Sequence, residues 1–142
     1  MTEKNLCQCG SNKAYALCCE PLHTLKEHAK TVKQLVRARY CAYARGAGKH
    51  REFLIRSWHP STAKTINVLD ITNDTFTWKG LTILRAEQKG DLGRVEFKAV
   101  FSEADDGPDL VHHEISLFHR IKGNWLYLEG KVNEGKVNEA KY

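Results

Sequence analysis

Arg94-Val-Glu-Phe-Lys-Ala-Val-Phe-Ser102 alternates apolar and polar side chains, so that Val95, Phe97, Ala99 and Phe101 share one face of an extended strand. The segments Phe76 to Gln88, Leu110 to Ile121 and Asn124 to Lys131 are also rich in β-branched and aromatic residues. Gly90-Asp91, Asp105 to Pro108 and Lys122-Gly123-Asn124 separate them as turns. Four strands joined by short turns predict an antiparallel meander, with the Val95 face turned toward whatever the first half of the chain supplies.

The first half follows a different period. From about Leu25 to Arg45, Leu25, Ala29, Val32, Val36, Tyr40 and Tyr43 recur at helical spacing, and Gly46 and Gly48 end the element. At about 100° per residue, Arg39 falls near the centre of that apolar face and Arg37 well away from it, so Arg39 is expected inside and Arg37 outside. A second helix is expected from about Arg51 to Trp58, burying Phe53, Leu54 and Trp58 and stopping at His59-Pro60, because the residue before a proline avoids helical geometry. Residues 61 to 74 read as helix or irregular connection. Helices followed by a sheet define an α+β architecture.

Four of the five cysteines stand in the first twenty residues, as Cys7-Gln-Cys9 and, eight residues later, Cys18-Cys19. Zinc takes four tetrahedral N or S ligands, and one tight loop of thiolates can supply them all. Gly10-Ser11 provides the turn, and Lys13 adds a nearby positive charge. Metal binding would also supply the folding energy that so short a loop cannot gain by burying apolar surface. Disulfides, a redox pair or unrelated thiols are the competing readings. Adjacent cysteines rarely bridge each other comfortably, and the spacing favours one structural Zn2+ held by Cys7, Cys9, Cys18 and Cys19. Cys41, on the long helix, reads as a core thiol.

With 142 residues, 42% hydrophobic and 27% charged, the composition is that of a globular protein with one core and a small appended module. No stretch approaches the roughly 20 apolar residues of a membrane span, and the N-terminus lacks an apolar secretory segment, so a cytoplasmic location is expected. The formal charge is +5, and a zinc ion with four thiolates would lower it to about +3. That mild excess, without interleaved aromatic and basic residues, argues against nucleic acid. Lys26, Lys30, Lys33 and Arg37 line one helical face and read as a solvated stripe.

The cysteine loop resembles the SEC-C zinc motif of the SecA translocation ATPase tail, which begins C-P-C-G-S-G-K and ends C-C or C-H. Gln8 and Asn12 depart from that pattern without loss of a ligand. Further along, Leu35-Val-Arg37-Ala-Arg39-Tyr40-Cys41-Ala-Tyr43, Ser57-Trp58-His59-Pro60, Trp78-Lys-Gly80-Leu81, Glu114-x-Ser116-x-Phe118 and Gly123-Asn-Trp125-Leu-Tyr127-Leu-Glu-Gly130 resemble the bacterial YchJ-type family. The resemblance implies an SEC-C knuckle over residues 1–24 and an NTF2-like cone of helices wrapped by a curved sheet over 25–130. Residues 131–142, with the direct repeat Lys131-Val-Asn-Glu-Gly, Lys136-Val-Asn-Glu-Ala, read as a polar flexible tail.

Such a cone implies a pocket, here expected between Arg39, Tyr40, Trp58, His59, Glu114 and Ser116. Glu114 shares a strand face with Ser116 and Phe118, and a buried carboxylate needs a partner, for which Arg39 is the obvious choice. The pair reads either as an architectural ion bridge or as part of a site in which His59 or Glu114 acts as base and Arg39 clamps an anion. No Ser-His-Asp order, phosphate loop or nucleotide fingerprint names a reaction, so binding is favoured over catalysis. His112, His113 and His119 are too dispersed along one strand to share a metal. By resemblance, the expected function is adaptor-like, with the zinc knuckle docking a protein partner such as an export chaperone or the ribosome. Small-molecule binding or catalysis in the pocket is the alternative. Ile115, Leu117 and Ile121 mark an outer sheet face suited to a homodimer.

Overall fold

The computed structural model describes residues 6–63, 76–103 and 107–132. Four helical segments, α1 (Glu20–His23), α2 (Val32–Gly46), α3 (Arg51–Arg56) and α4 (Pro60–Ala63), precede four strands, β1 (Thr77–Lys89), β2 (Leu92–Ser102), β3 (Leu110–Ile121) and β4 (Asn124–Val132). The strands form one antiparallel sheet in the order β1-β2-β3-β4, the meander that the turn residues predict. Register shifts at Trp78/Gly80, Ile83/Arg85 and Leu117/Phe118 add residues to one strand of a pair, which bends the sheet around the helix layer.

The core joins α2 to the middle of the sheet. Val32, Leu35, Val36, Leu54, Val95, Phe118 and Trp125 are buried together. Gly93 makes the close approach of α2 possible, because a Cβ there would lie 2.4 Å from Val32 Cγ1 and 3.2 Å from the Trp125 ring. On the Val95 face the helix packing is incomplete: Val95 and Ala99 are buried, but Phe97 and Phe101 are only half-buried.

The long helix begins later than its apolar period suggests. Thr31 caps it by accepting a 3.0 Å hydrogen bond from Gln34 N–H, and Gln34 Oε1 in turn accepts from Lys30 N–H at 2.7 Å. This Thr-x-x-Gln arrangement satisfies two backbone donors at the helix start and fixes the boundary. Lys26 and Lys30 therefore lie outside α2, and the expected basic stripe is not continuous. Arg37 is also corrected: it is half-buried rather than free in solvent, and donates from Nη1 to Cys9 O at 2.8 Å. The second helix ends at Arg56, two residues earlier than expected. Of the 61–74 connection only the end of α4 lies within the described residues, and of the polar tail only residues 131 and 132, which belong to β4. Ile115, Leu117 and Ile121 are half-buried on the outer sheet face. No helix among the described residues is long and apolar enough to cross a membrane.

Candidate functional sites: a thiol cluster and an aromatic cavity

The N-terminal loop folds back on itself through Cys7 N–H to Lys13 O at 2.7 Å and Gly10 N–H to Cys7 O at 3.3 Å. The turn brings the sulfurs of Cys7, Cys9, Cys18 and Cys19 within 4.8 Å of one another. Tetrahedral zinc with bonds of about 2.3 Å requires sulfur-to-sulfur edges of about 3.8 Å. Two edges of the cluster, Cys9 to Cys18 at 3.6 Å and Cys18 to Cys19 at 3.9 Å, fit that requirement. The donor set therefore suits a closed, four-thiolate zinc site. Ser11 Oγ lies 3.1 Å from Cys18 Sγ, the kind of outer partner that orients a ligand.

Cys41 joins this cluster from α2. Its sulfur is fully buried and lies 3.5 Å from Cys7 Sγ, so the fifth cysteine is the core thiol expected and also a neighbour of the four. The thiols influence one another strongly: hydrogen bonding from Cys19 pulls Cys7 down to about 6, and contacts with Cys41 and Cys7 push Cys19 up.

Four contacts fasten the knuckle to the helices. His23 Nε2 donates to Ala38 O at 2.8 Å, which leaves Nδ1 to accept from the Tyr15 hydroxyl at 2.7 Å. Arg45 covers the Tyr15 ring at 3.6 Å, and Arg37 holds Cys9 O as described above. The cysteine loop is thereby part of the same apolar cluster as Ala38, Cys41 and Ala42 of α2.

Between α2 and the concave face of the sheet lies a cavity of about 430 Å³. Arg39, Tyr40, Trp58, Glu114 and Ser116 line it, so five of the six expected pocket residues come together. His59 is not among them. Its Nδ1 accepts from Ser61 N–H at 3.0 Å, capping α4, and its Nε2 lies 3.4 Å from His119 Nδ1. His59 thus serves the start of the following helix, and nothing in this geometry places it against the cavity.

The expected Arg39–Glu114 ion pair does not form. Arg39 Nη1 donates to Leu54 O at 3.0 Å and to Ser57 Oγ, and its guanidinium carbon lies 4.9 Å from the Trp58 ring centroid and 4.8 Å from that of Tyr127. Two aromatic faces and neutral oxygens satisfy the buried cation. Glu114 takes other partners: His112 Nε2 donates to Oε1 at 2.8 Å, the Tyr127 hydroxyl to Oε2 at 2.9 Å, and Ser116 Oγ also to Oε2. Burial alone would raise the carboxyl, but these donors, His112 and Ser116 foremost, hold it below the usual carboxylate range. Burial and the adjacent Glu114 charge push the Tyr127 phenol up, keeping it a donor.

Gly130 leaves room for this network, since a Cβ there would meet Glu114 Oε2 at 2.1 Å and the Tyr127 hydroxyl at 2.7 Å. Sequence reasoning missed His112 as the partner of Glu114, although the two residues are two apart and share a strand face. It also missed the aromatic wall of Phe76, Trp78, Phe97 and Phe101.

Comparison with known proteins agrees with both parts. Residues 31–130 match the family described as YchJ, middle NTF2-like domain. A UPF0225 protein of Deinococcus radiodurans is 41% identical over 123 residues, covering 87% of this chain and 86% of the relative. The solution structure of a SEC-C motif containing protein from Rhodopseudomonas palustris superposes with a TM-score of 0.78 at 32% identity, covering 88% of this chain and 96% of that one. The crystal structure of a SEC-C motif containing protein from Psychrobacter arcticus does so with a TM-score of 0.73 at 25% identity, covering 94% and 84%. The chain belongs to the YchJ family, with an NTF2-like domain preceded by a cysteine cluster of the SEC-C kind.

Proposed function

We propose that this protein is a small-molecule receptor whose ligand occupies the NTF2-like cavity, and that one structural Zn2+ bound by Cys7, Cys9, Cys18 and Cys19 clamps the N-terminal loop onto α2. The observation that carries the reading is the cavity itself: about 430 Å³, walled mainly by aromatic rings, with one buried carboxylate held by three donors. Binding pockets for small ligands have this size and this mixture of apolar wall and few fixed polar groups. A closed zinc site has no open coordination position, so the metal would supply structure rather than chemistry. Glu114 and Tyr127 would orient the ligand by hydrogen bonding, and the rings would exclude water from it.

The test is a thermal-shift comparison of the wild type with Ala99→Phe, which places a ring where the buried Ala99 now lines the cavity. Small aromatic compounds that stabilise the wild type should leave Ala99→Phe unmoved. Equal stabilisation of both proteins would refute the cavity as the site.

Leu17 favours a second reading. It is 80% exposed on the knuckle, and Lys13 is exposed in the same loop. An exposed apolar side chain beside a positive charge is suited to docking an acidic protein surface, in keeping with the adaptor role that the SEC-C resemblance suggests, with an export chaperone or the ribosome as partner. Cosedimentation with ribosomes, comparing the wild type with Leu17→Glu, checks the ribosomal case: binding lost in the variant supports it, and absent or unchanged binding contradicts it.

A further inference from the structure

We propose that the ligand of this cavity is an organic cation, a quaternary or protonated amine, with Glu114 as counter-ion and the rings around Trp78 as its cage. The inference rests on the cavity being the ligand site. Its starting point is the arrangement of rings near Trp78. Tyr40 and Phe76 both stand edge-on to the Trp78 ring at 6.1 Å between centroids, interplanar angles 76° and 75°, and Phe101 leans against it at 5.1 Å. All four rings line the cavity. Steeply inclined aromatic faces around a common space attract a cation through their quadrupoles, and aromatic cages recognise quaternary ammonium groups in this way.

The charges lining the cavity point in the same direction. Glu114 has a donor on each carboxylate oxygen, which is the bonding pattern of an anion. Oε1 accepts one bond from His112, which leaves it acceptor capacity for a ligand. Glu103 lines the cavity as a second acid and is exposed. Arg39 is the single basic lining residue among those described besides His112, and its charge is already engaged by Trp58, Tyr127, Leu54 O and Ser57. Carboxylates thus outnumber free cations around an aromatic space, an environment that favours positive charge. An anionic ligand would have to displace the ring contacts that satisfy Arg39.

Three probes of nearly one shape separate the charge question from the cavity question: phenyltrimethylammonium, neutral tert-butylbenzene and benzenesulfonate, each titrated into the full-length protein by calorimetry. The cation is expected to bind at least about tenfold more tightly than the neutral probe, and the sulfonate more weakly than either. Glu114→Gln, which keeps the shape and removes the charge, should bring the ratio of cation to tert-butylbenzene affinity down toward one. Trp78→Leu, folded by circular dichroism, should weaken the cation more than the neutral probe. Equal affinity for cation and neutral probe, or tighter sulfonate binding, overturns the cation proposal but leaves the cavity reading intact. Absence of binding by all three, or binding that persists in Ala99→Phe, overturns both.

Discussion

The Tyr127 hydroxyl donates a 2.9 Å hydrogen bond to Glu114 Oε2, and the ring that carries it also lies against Arg39. Tyr127 therefore stands between the Arg39 and Glu114 charges, and each is satisfied without meeting the other. Tyr127→Phe keeps the ring on Arg39 and deletes only the donor to a buried carboxylate. Hydrogen bonds to charged groups contribute about 1.5–3 kcal/mol, so urea denaturation should show a loss of that order with an unchanged m-value. A variant as stable as the wild type would mean that the bond contributes nothing to the fold.

Gly93 sets the distance between α2 and the sheet. Gly93→Ala should destabilise by about 1–3 kcal/mol, because the new methyl overlaps Val32 Cγ1 and crowds Trp125. Val32→Ala in the same chain should recover part of the loss, since it removes the overlapping group. Simple additivity of the two losses in a double-mutant cycle would show that the sites do not clash.

Zinc analysis should give one ion per chain, lost in Cys9→Ser. Cys41 offers a finer test, because it lies 3.5 Å from Cys7 Sγ yet stands outside the four-sulfur group. Cys41→Ser keeps a donor toward Cys7, whereas Cys41→Val keeps the bulk and removes it. Release of zinc to a chromogenic chelator should be close to wild type for the serine variant and faster for the valine variant. Indistinguishable rates for all three proteins would show that the fifth thiol only fills space.

The histidine pair beside the knuckle gives a pH dependence. The His23 and His50 rings lie 4.3 Å apart, tilted by 41°; burial lowers both, and His50 falls to about 4 with the His23 charge as a further cause. The unfolded chain, with its imidazoles near 6.5, binds more protons than the folded one below that pH. Stability from this pair is therefore complete above about pH 6.5 and is lost as pH falls toward 4. His50→Gln at matched zinc should show a shallower decline of Tm over that interval. An identical decline would assign the acid sensitivity elsewhere.

Much of this was legible in the residues. The period-two alternation around Val95 and the turn at Lys122-Gly123 fix strands that the fold reproduces to within about two residues, because side-chain alternation and turn chemistry are local properties. The thiol cluster was legible for the same reason, all four cysteines lying within thirteen residues. Apolar spacing carries α2 back to about Leu25, but the Thr31-x-x-Gln34 cap, itself a sequence signal, starts the helix at Val32. Arg39 departs from its expected partner for a different cause. Opposite charges on facing elements suggest a pair, but cation–π contacts with Trp58 and Tyr127 depend on how a curved sheet presents its rings, which no local pattern encodes. The cavity likewise depends on the curvature of the sheet, to which the register shifts between β1 and β2 and between β3 and β4 contribute.

The central claim is that the space between α2 and the sheet receives a ligand. Trp58 and Trp78 both line it, so their indole N–H resonances report on its contents. The direct measurement is a 15N-edited NMR titration of the zinc-loaded full chain with a neutral aromatic probe, indole, alongside Ala99→Phe. The account predicts saturable shifts of the Trp58 and Trp78 indole signals in the wild type that disappear in the filled variant. Unmoved signals, or equal shifts in both proteins, would contradict it.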